Sequence, residues 1–353
     1  MRKKIVNVAR ILLFLSIGII LLIIAFRDIS LEDLVLGLRS ANYSWVLLSL
    51  TFAFLAFISR TYRWILLIEP LGYKPSPENT FYALMTGYLA NFILPRIGEI
   101  TRCGSLNRTE RIPVDSLMGT VITERISDLI ALLLLGAYIF FIEIGFFGDF
   151  LYNNIIIPVY QKIAPWFSFH LFIYILIFIF LLMLILFYRI IAILLRKYKL
   201  FRRFEKIAGR IYAGMKSVFQ MKKTIPFLTH TIFIWLMYYL MTWAVFKALP
   251  ATAGLGGNAV LFILVIGGLG IAAPVQGGIG AYHWIVSVGL GLYGISREEG
   301  LVYATLSHES QALLMILLGS LSMFIIFLKN KKASQPGVLF SLPADNKPRD
   351  EST

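Results

Sequence analysis

The chain has 353 residues, of which 58% are hydrophobic and only 15% charged, and its mean hydropathy is +0.79. A soluble globular protein carries about 25% charged residues, so this balance excludes an ordinary water-solvated domain. The net charge of +14 would suit nucleic acid. However, the basic residues flank hydrophobic segments instead of clustering on a soluble domain, which points to anionic lipid headgroups and away from nucleic acid.

The apolar residues come in blocks of about 18 to 26, enough to cross a hydrocarbon core ~30 Å thick at ~1.5 Å per residue. A transmembrane barrel would instead show ~10-residue alternating segments. The predicted fold class is therefore all-α, a polytopic membrane helical bundle. Arg2-Lys3-Lys4 followed by an apolar run to Phe26 resembles a signal sequence. That run is too long and lacks a small-residue cleavage motif, so it reads as a retained first helix. Six full spans are predicted, at 9–26, 44–68, 116–142, 170–195, 226–249 and 303–328. Three shorter apolar stretches, 79–94, 258–273 and 281–294, are bounded by Pro and Gly.

Charge decides what the short stretches do. If 79–94 dips in and returns, and 258–294 forms a hairpin from the other side, 22 basic residues face the cytoplasm and only Arg27, Arg39, Lys162 and Arg297 face outward. A full crossing by 79–94 would put the basic stretch 196–223 outside, against the positive-inside rule. The expectation is thus six spans and two opposed re-entrant hairpins in a bacterial inner membrane, with both termini cytoplasmic. Within 196–223, Phe201, Phe204, Ile207, Ile211, Val218 and Phe219 recur at helical spacing among Arg and Lys, which predicts an amphipathic helix in the headgroup plane. It reads equally as a topogenic anchor or a lipid-recognition surface. Residues 1–332 read as one domain and 333–353, with Pro336, Gly337, Pro343 and Pro348, as a disordered tail.

A single cysteine, Cys103, excludes an internal disulfide, and the four histidines have no ligand spacing between them. That pattern speaks against a metal site, and no cofactor motif is present. The densest polar set is Asn91 through Arg102, containing Pro95, Arg96, Gly98 and Glu99. Pro95 must break the helix, and a break at membrane depth should line a wet or protein-walled cavity. Arg96, Glu99 and Arg102, at i, i+3 and i+6, would share a helical face, with Glu99 pairing either arginine around an anionic phosphate. A loop capped by a structural ion pair is the plainer alternative. Deeper in the third span lie Glu124, Arg125 and Asp128. Glu124 and Asp128 fall on one face and Arg125 is within reach of Asp128, as a functional group or a structural clamp. Arg60 and Arg63 read as snorkelling anchors, with completion of a basic pocket beside Arg102 as the alternative. Around the second break, Pro274, Gln276, Gly277, Gly278 and Gly280 precede a helix start with free N–H groups. His308 and Glu309 read either as a proton or headgroup site or as interfacial polar residues.

These pieces, Arg60-Thr61-Tyr62-Arg63-Trp64, Asn91 to Arg102, Glu124-Arg125 with Asp128, and Pro274 to Gly280, together resemble the lysylphosphatidylglycerol synthase transmembrane-region family of flippase-like membrane proteins. The resemblance implies translocation of an anionic phospholipid or polyprenyl-linked lipid between leaflets. It also implies no lysyl transfer, since the aminoacyl-transferase domain of bifunctional relatives is not expected here. Two rivals are an intramembrane lipid-modifying enzyme and a non-transporting partner of a glycosyltransferase or lipid synthase. The opposed breaks suggest an inverted pseudo-symmetric core. The oligomeric state is not readable from these features.

Overall fold

In a computed structural model, residues 16, 19–27, 30–158, 161, 169–197 and 223–333 are described. Every element among them is helical. A helical stretch at 19–26 precedes α1 (Leu31–Arg39), α2 (Tyr43–Ile68), α3 (Pro77–Ile93), α4 (Gly98–Glu110), α5 (Val114–Ile142) and α6 (Ile144–Leu151). Then follow α7 (Phe169–Lys197), α8 (Thr224–Ala248), α9 (Gly257–Ala272), α10 (Ala281–Gly291) and α11 (Arg297–Ala333). Four of them, in α2, α5, α8 and α11, are long and apolar enough to cross a membrane, and α7 is a further 29-residue helix. The chain is a multi-pass membrane protein. The basic stretch 198–222, the tail from 334 and half of the first predicted span lie outside the described residues.

Contacts between ends fix how the helices run. Antiparallel α2 and α8 are joined at one end by Asn42 N–H donating to the Ala248 carbonyl (2.8 Å) and at the other by Lys223 paired with Glu69 (2.6 Å). Between these, Ser49 donates to the Met241 carbonyl and Ser59 bonds His230. Buried Ser49, Ala53, Ala56 and Ser59 keep that side of α2 small, the device by which membrane helices approach closely where no hydrophobic drive holds them.

The first hairpin starts at the Ile68 end. Ser76 caps α3 by accepting from Asn79 N–H, with Pro77 in the first turn. α3 ends at Ile93, because the residue before Pro95 cannot stay helical: Leu94 is extended at φ −139°, ψ 129°. After the turn, α4 runs back. Glu110 at its far end accepts from Ser76 N–H (3.1 Å) and from the Asn79 amide (2.7 Å) at the mouth of α3. The return leg therefore lies inside the bundle, with Arg102, Cys103 and Leu106 buried, whereas the sequence reading confined the dip to 79–94.

The second hairpin, α9 and α10, enters from the Tyr43 end, where Asn258 bonds Glu143 and Tyr293 stacks on Phe146. α9 stops before Pro274, with Ala273 extended (φ −56°, ψ 147°). The turn runs through Gly277, Gly278 and Gly280, all at positive φ.

One helix carries both hairpins. Along α11, Gly300 lies against Ser287 of α10, His308 reaches the Gly277 carbonyl, Gly319 lies against Met85 and Leu89 of α3, and Lys329 pairs with Glu78. A Cβ on Gly319 would stand 2.7 Å from Leu89 Cβ and 2.8 Å from the Met85 carbonyl oxygen. Gly300 and Gly319 are about 28 Å apart along the axis. The hairpins thus enter from opposite ends, and their tips come together between.

Candidate functional site

The tips touch directly. Arg96, at φ 62°, donates to the Ala272 carbonyl at the end of α9 (3.2 Å). The ring of Phe92 packs so closely on Gly277 that a Cβ there would lie 2.7 Å from it. Asn91 Oδ1 accepts from the Gly98 N–H (2.8 Å), capping α4 from the preceding helix. A Cβ on Gly98 would fall 2.2 Å from the Gly87 carbonyl oxygen. Asn91 and Gly98 thus hold the first turn together. Pro95 forms that turn, while Pro274, Gln276, Gly278 and Gly280 form its counterpart.

Beside the first hairpin, four helices converge on a buried ion cluster. Glu124 and Asp128, one turn apart on α5, face Arg60 and Arg63, one turn apart on α2. Arg60 Nη2 bonds Glu124 and Asp128 Oδ2 (3.0 Å to the latter), and Arg63 Nη2 lies 2.7 Å from Asp128 Oδ1. From α8, the Tyr238 and Thr231 hydroxyls accept from Arg60 (2.9 Å) and Arg63 (3.3 Å). From α4, Arg102 brings Nη1 to 3.0 Å from Glu124 Oε2 and stacks over Trp64 at 4.6 Å. Trp64 is fixed by donating to Thr120 (2.9 Å). Burying such charges costs several kcal/mol per ion unless pairing is good, so this cluster strongly constrains how α2, α4, α5 and α8 pack.

Three expectations need correction. Arg60 and Arg63 do not snorkel: they are 5% and 0% exposed and form the cationic half of the cluster. The Arg96–Glu99–Arg102 face does not form, because Arg96 belongs to the non-helical turn and Arg102 turns to Glu124. Glu99 instead meets Arg125 of α5 (3.5 Å), in a partly exposed pair, so Arg125 does not serve Asp128. The pairing across elements takes precedence because Glu124 and Asp128 find buried guanidiniums there.

The cluster is unbalanced. Arg60, Arg63 and Arg102 surround Glu124 and Asp128, three positive charges to two negative. The imbalance falls on Arg102. Although it lies close to Glu124, none of its three guanidinium nitrogens makes an aligned hydrogen bond among the described residues.

A second group lies by the other turn. His308 Nδ1 is 3.0 Å from Glu309 Oε1, and its Nε2 is 2.8 Å from the Gly277 carbonyl oxygen. His283 of α10 points Nε2 at the same Glu309 oxygen (3.5 Å). Spacing along the chain gave no sign of this, since 25 residues separate the two histidines and only the packing of α10 on α11 joins them.

The family described as Lysylphosphatidylglycerol synthase TM region matches residues 7–319. UPF0104 membrane protein MJ1595 of Methanocaldococcus jannaschii is 30% identical over 151 residues, 41% of this chain and 44% of that protein, so less than half of that relative is spanned. No solved structure matches. With a match across nearly all the described helices, the chain belongs to the lysylphosphatidylglycerol synthase transmembrane-region family.

Proposed function

We propose that the protein moves an anionic phospholipid or polyprenyl-linked lipid between leaflets, with the headgroup passing between the two hairpin tips and the acyl chains remaining in the bilayer. The observation that carries this reading is the Arg102 guanidinium, buried beside the first hairpin in a cluster of three arginines and two carboxylates, with none of its nitrogens in an aligned hydrogen bond among the described residues. A guanidinium fork matches two phosphate oxygens, and a cluster that is one negative charge short gains most from an anion.

In this conformation Arg102 is only 2% exposed. A headgroup reaches it when α4 moves away from α5, and the Glu99–Arg125 pair bridging those helices is weak enough, at 3.5 Å and partly exposed, to open. Arg96 at the tip would receive the headgroup on the way to the second hairpin. The N-terminus, the basic stretch 196–223 and the tail would face the cytoplasm, where the surface potential holds anionic lipid close.

The test is reconstitution of the full chain into liposomes with fluorescent phosphatidylglycerol or phosphatidylcholine, scoring access to a membrane-impermeant quencher. Wild type should scramble the anionic lipid. Arg102→Gln should slow this at least ~10-fold, the loss of one charge-assisted contact of ~1.5–3 kcal/mol, while the protein still elutes as a folded species. Equal rates in wild type and Arg102→Gln would sink the assignment.

A further inference from the structure

Beyond the lipid path, the tips carry a feature with its own chemistry, and it starts from hydrogen-bond valence at His308. Its Nε2 is 2.8 Å from the Gly277 carbonyl oxygen, which can only accept. Nε2 therefore carries the ring proton, and in the neutral ring Nδ1 presents a lone pair. That lone pair faces Glu309 Oε1 at 3.0 Å. An ionised carboxylate is also acceptor-only, so the two atoms repel unless a positive species sits with them.

A third donor completes the arrangement. His283, 2% exposed, brings Nε2 to 3.5 Å from the same carboxylate oxygen, and one ligand atom from each of the three side chains lies within 4.8 Å of the others. Tetrahedral ligands ~2.0–2.1 Å from a zinc ion stand about 3.3 Å apart. The two edges to Glu309, 3.0 and 3.5 Å, bracket that value. The Nε2–H of His308 held by a backbone carbonyl is the outer-shell partner that fixes tautomer and ring orientation in metal-ligating histidines.

We propose that His283 Nε2, His308 Nδ1 and Glu309 Oε1 bind one divalent transition-metal ion of the zinc class at the meeting of the two hairpin tips. Two imidazoles and one carboxylate suit zinc, whereas calcium and magnesium prefer all-oxygen sets. Three protein ligands leave a fourth position open, and the half-exposed Glu309 side chain marks the open side. Through His308 the ion is mechanically linked to the Gly277 carbonyl, and Gly277 packs on Phe92 of the opposite hairpin. Occupancy would thus stiffen the contact between the tips.

The experiment uses the full chain in nanodiscs, with any affinity tag removed and metal stripped by chelator, titrated with cobalt(II) and separately with zinc(II). Wild type should bind one ion per chain, with visible absorption bands of a four-coordinate cobalt centre that zinc displaces. His283→Gln and Glu309→Gln leave the His308–Gly277 bond in place. Each should weaken binding at least 10-fold while its melting curve in chelator stays within a few degrees of wild type. Absence of saturable cobalt binding by wild type overturns the proposal and leaves a proton as the species shared by His308 and Glu309. Unchanged stoichiometry and affinity in the His283→Gln/Glu309→Gln double variant overturns it equally.

Discussion

The two polar clusters inside this bundle solve the problem of buried charge in opposite ways. The arginine cluster by the first hairpin is closed, with Glu124 fully buried and Asp128 at 17% side-chain exposure, and it is tied to four helices. The histidine cluster by the second hairpin is partly open, with Glu309 at 48%, and rests on α10, α11 and the turn of that hairpin. In the first, permanent charges compensate one another, so it behaves as architecture that also carries a surplus cation. In the second, two imidazoles meet one carboxylate, so its charge depends on what it binds. Stability should therefore depend on the first cluster and ligand response on the second.

Glu124→Gln should break the closed cluster most severely. It leaves three guanidiniums facing Asp128 alone, and removing one partner of a buried pair costs about 3–5 kcal/mol. Thermal unfolding in detergent measures this. Adding Arg102→Gln to Glu124→Gln should recover part of the loss, because the surplus cation goes with its partner. A double-mutant cycle with no coupling would show that Arg102 is not part of the unit.

Gly98→Ala tests whether the first turn is as tightly built as the cluster beside it. The new methyl would meet the Gly87 carbonyl oxygen at 2.2 Å and Asn91 Oδ1 at 2.6 Å, and overpacking of this kind costs about 1–3 kcal/mol. A melting temperature equal to wild type would mean that α3 and α4 separate freely.

Glu309→Gln, compared in chelator, should change stability by less than about 1 kcal/mol, because the group is half exposed and its pairing is screened. A larger loss would place the open cluster with the closed one. The smallest effect concerns Cys103, which is 0% exposed between the hairpin and its neighbours. A maleimide should leave it unmodified from either face until denaturant is added; prompt labelling of the native protein would show that α4 opens without substrate.

Much was legible in the chain itself. Long apolar blocks specify helices and spans, because lipid leaves backbone groups no partner but their own helix. Pro95 and Pro274 specify the two breaks, since the residue before each must be extended, as Leu94 and Ala273 are. The i, i+4 spacing placed Glu124 and Asp128 on one face. The partners of those charges were not legible. Local spacing suggested Glu99 with Arg96 or Arg102, and Arg125 with Asp128, but Arg60 and Arg63 from α2 and Arg102 from α4 take the carboxylates of α5. Nor did spacing bring His283 to His308. Sequence by itself located the long apolar helices of the described residues and the two breaks, though not the buried return leg α4, for these follow from the local cost of an unsatisfied backbone. Only the tertiary structure decided which charges meet, because a buried ion takes whichever opposite charge packing places nearest, wherever that residue lies in the chain.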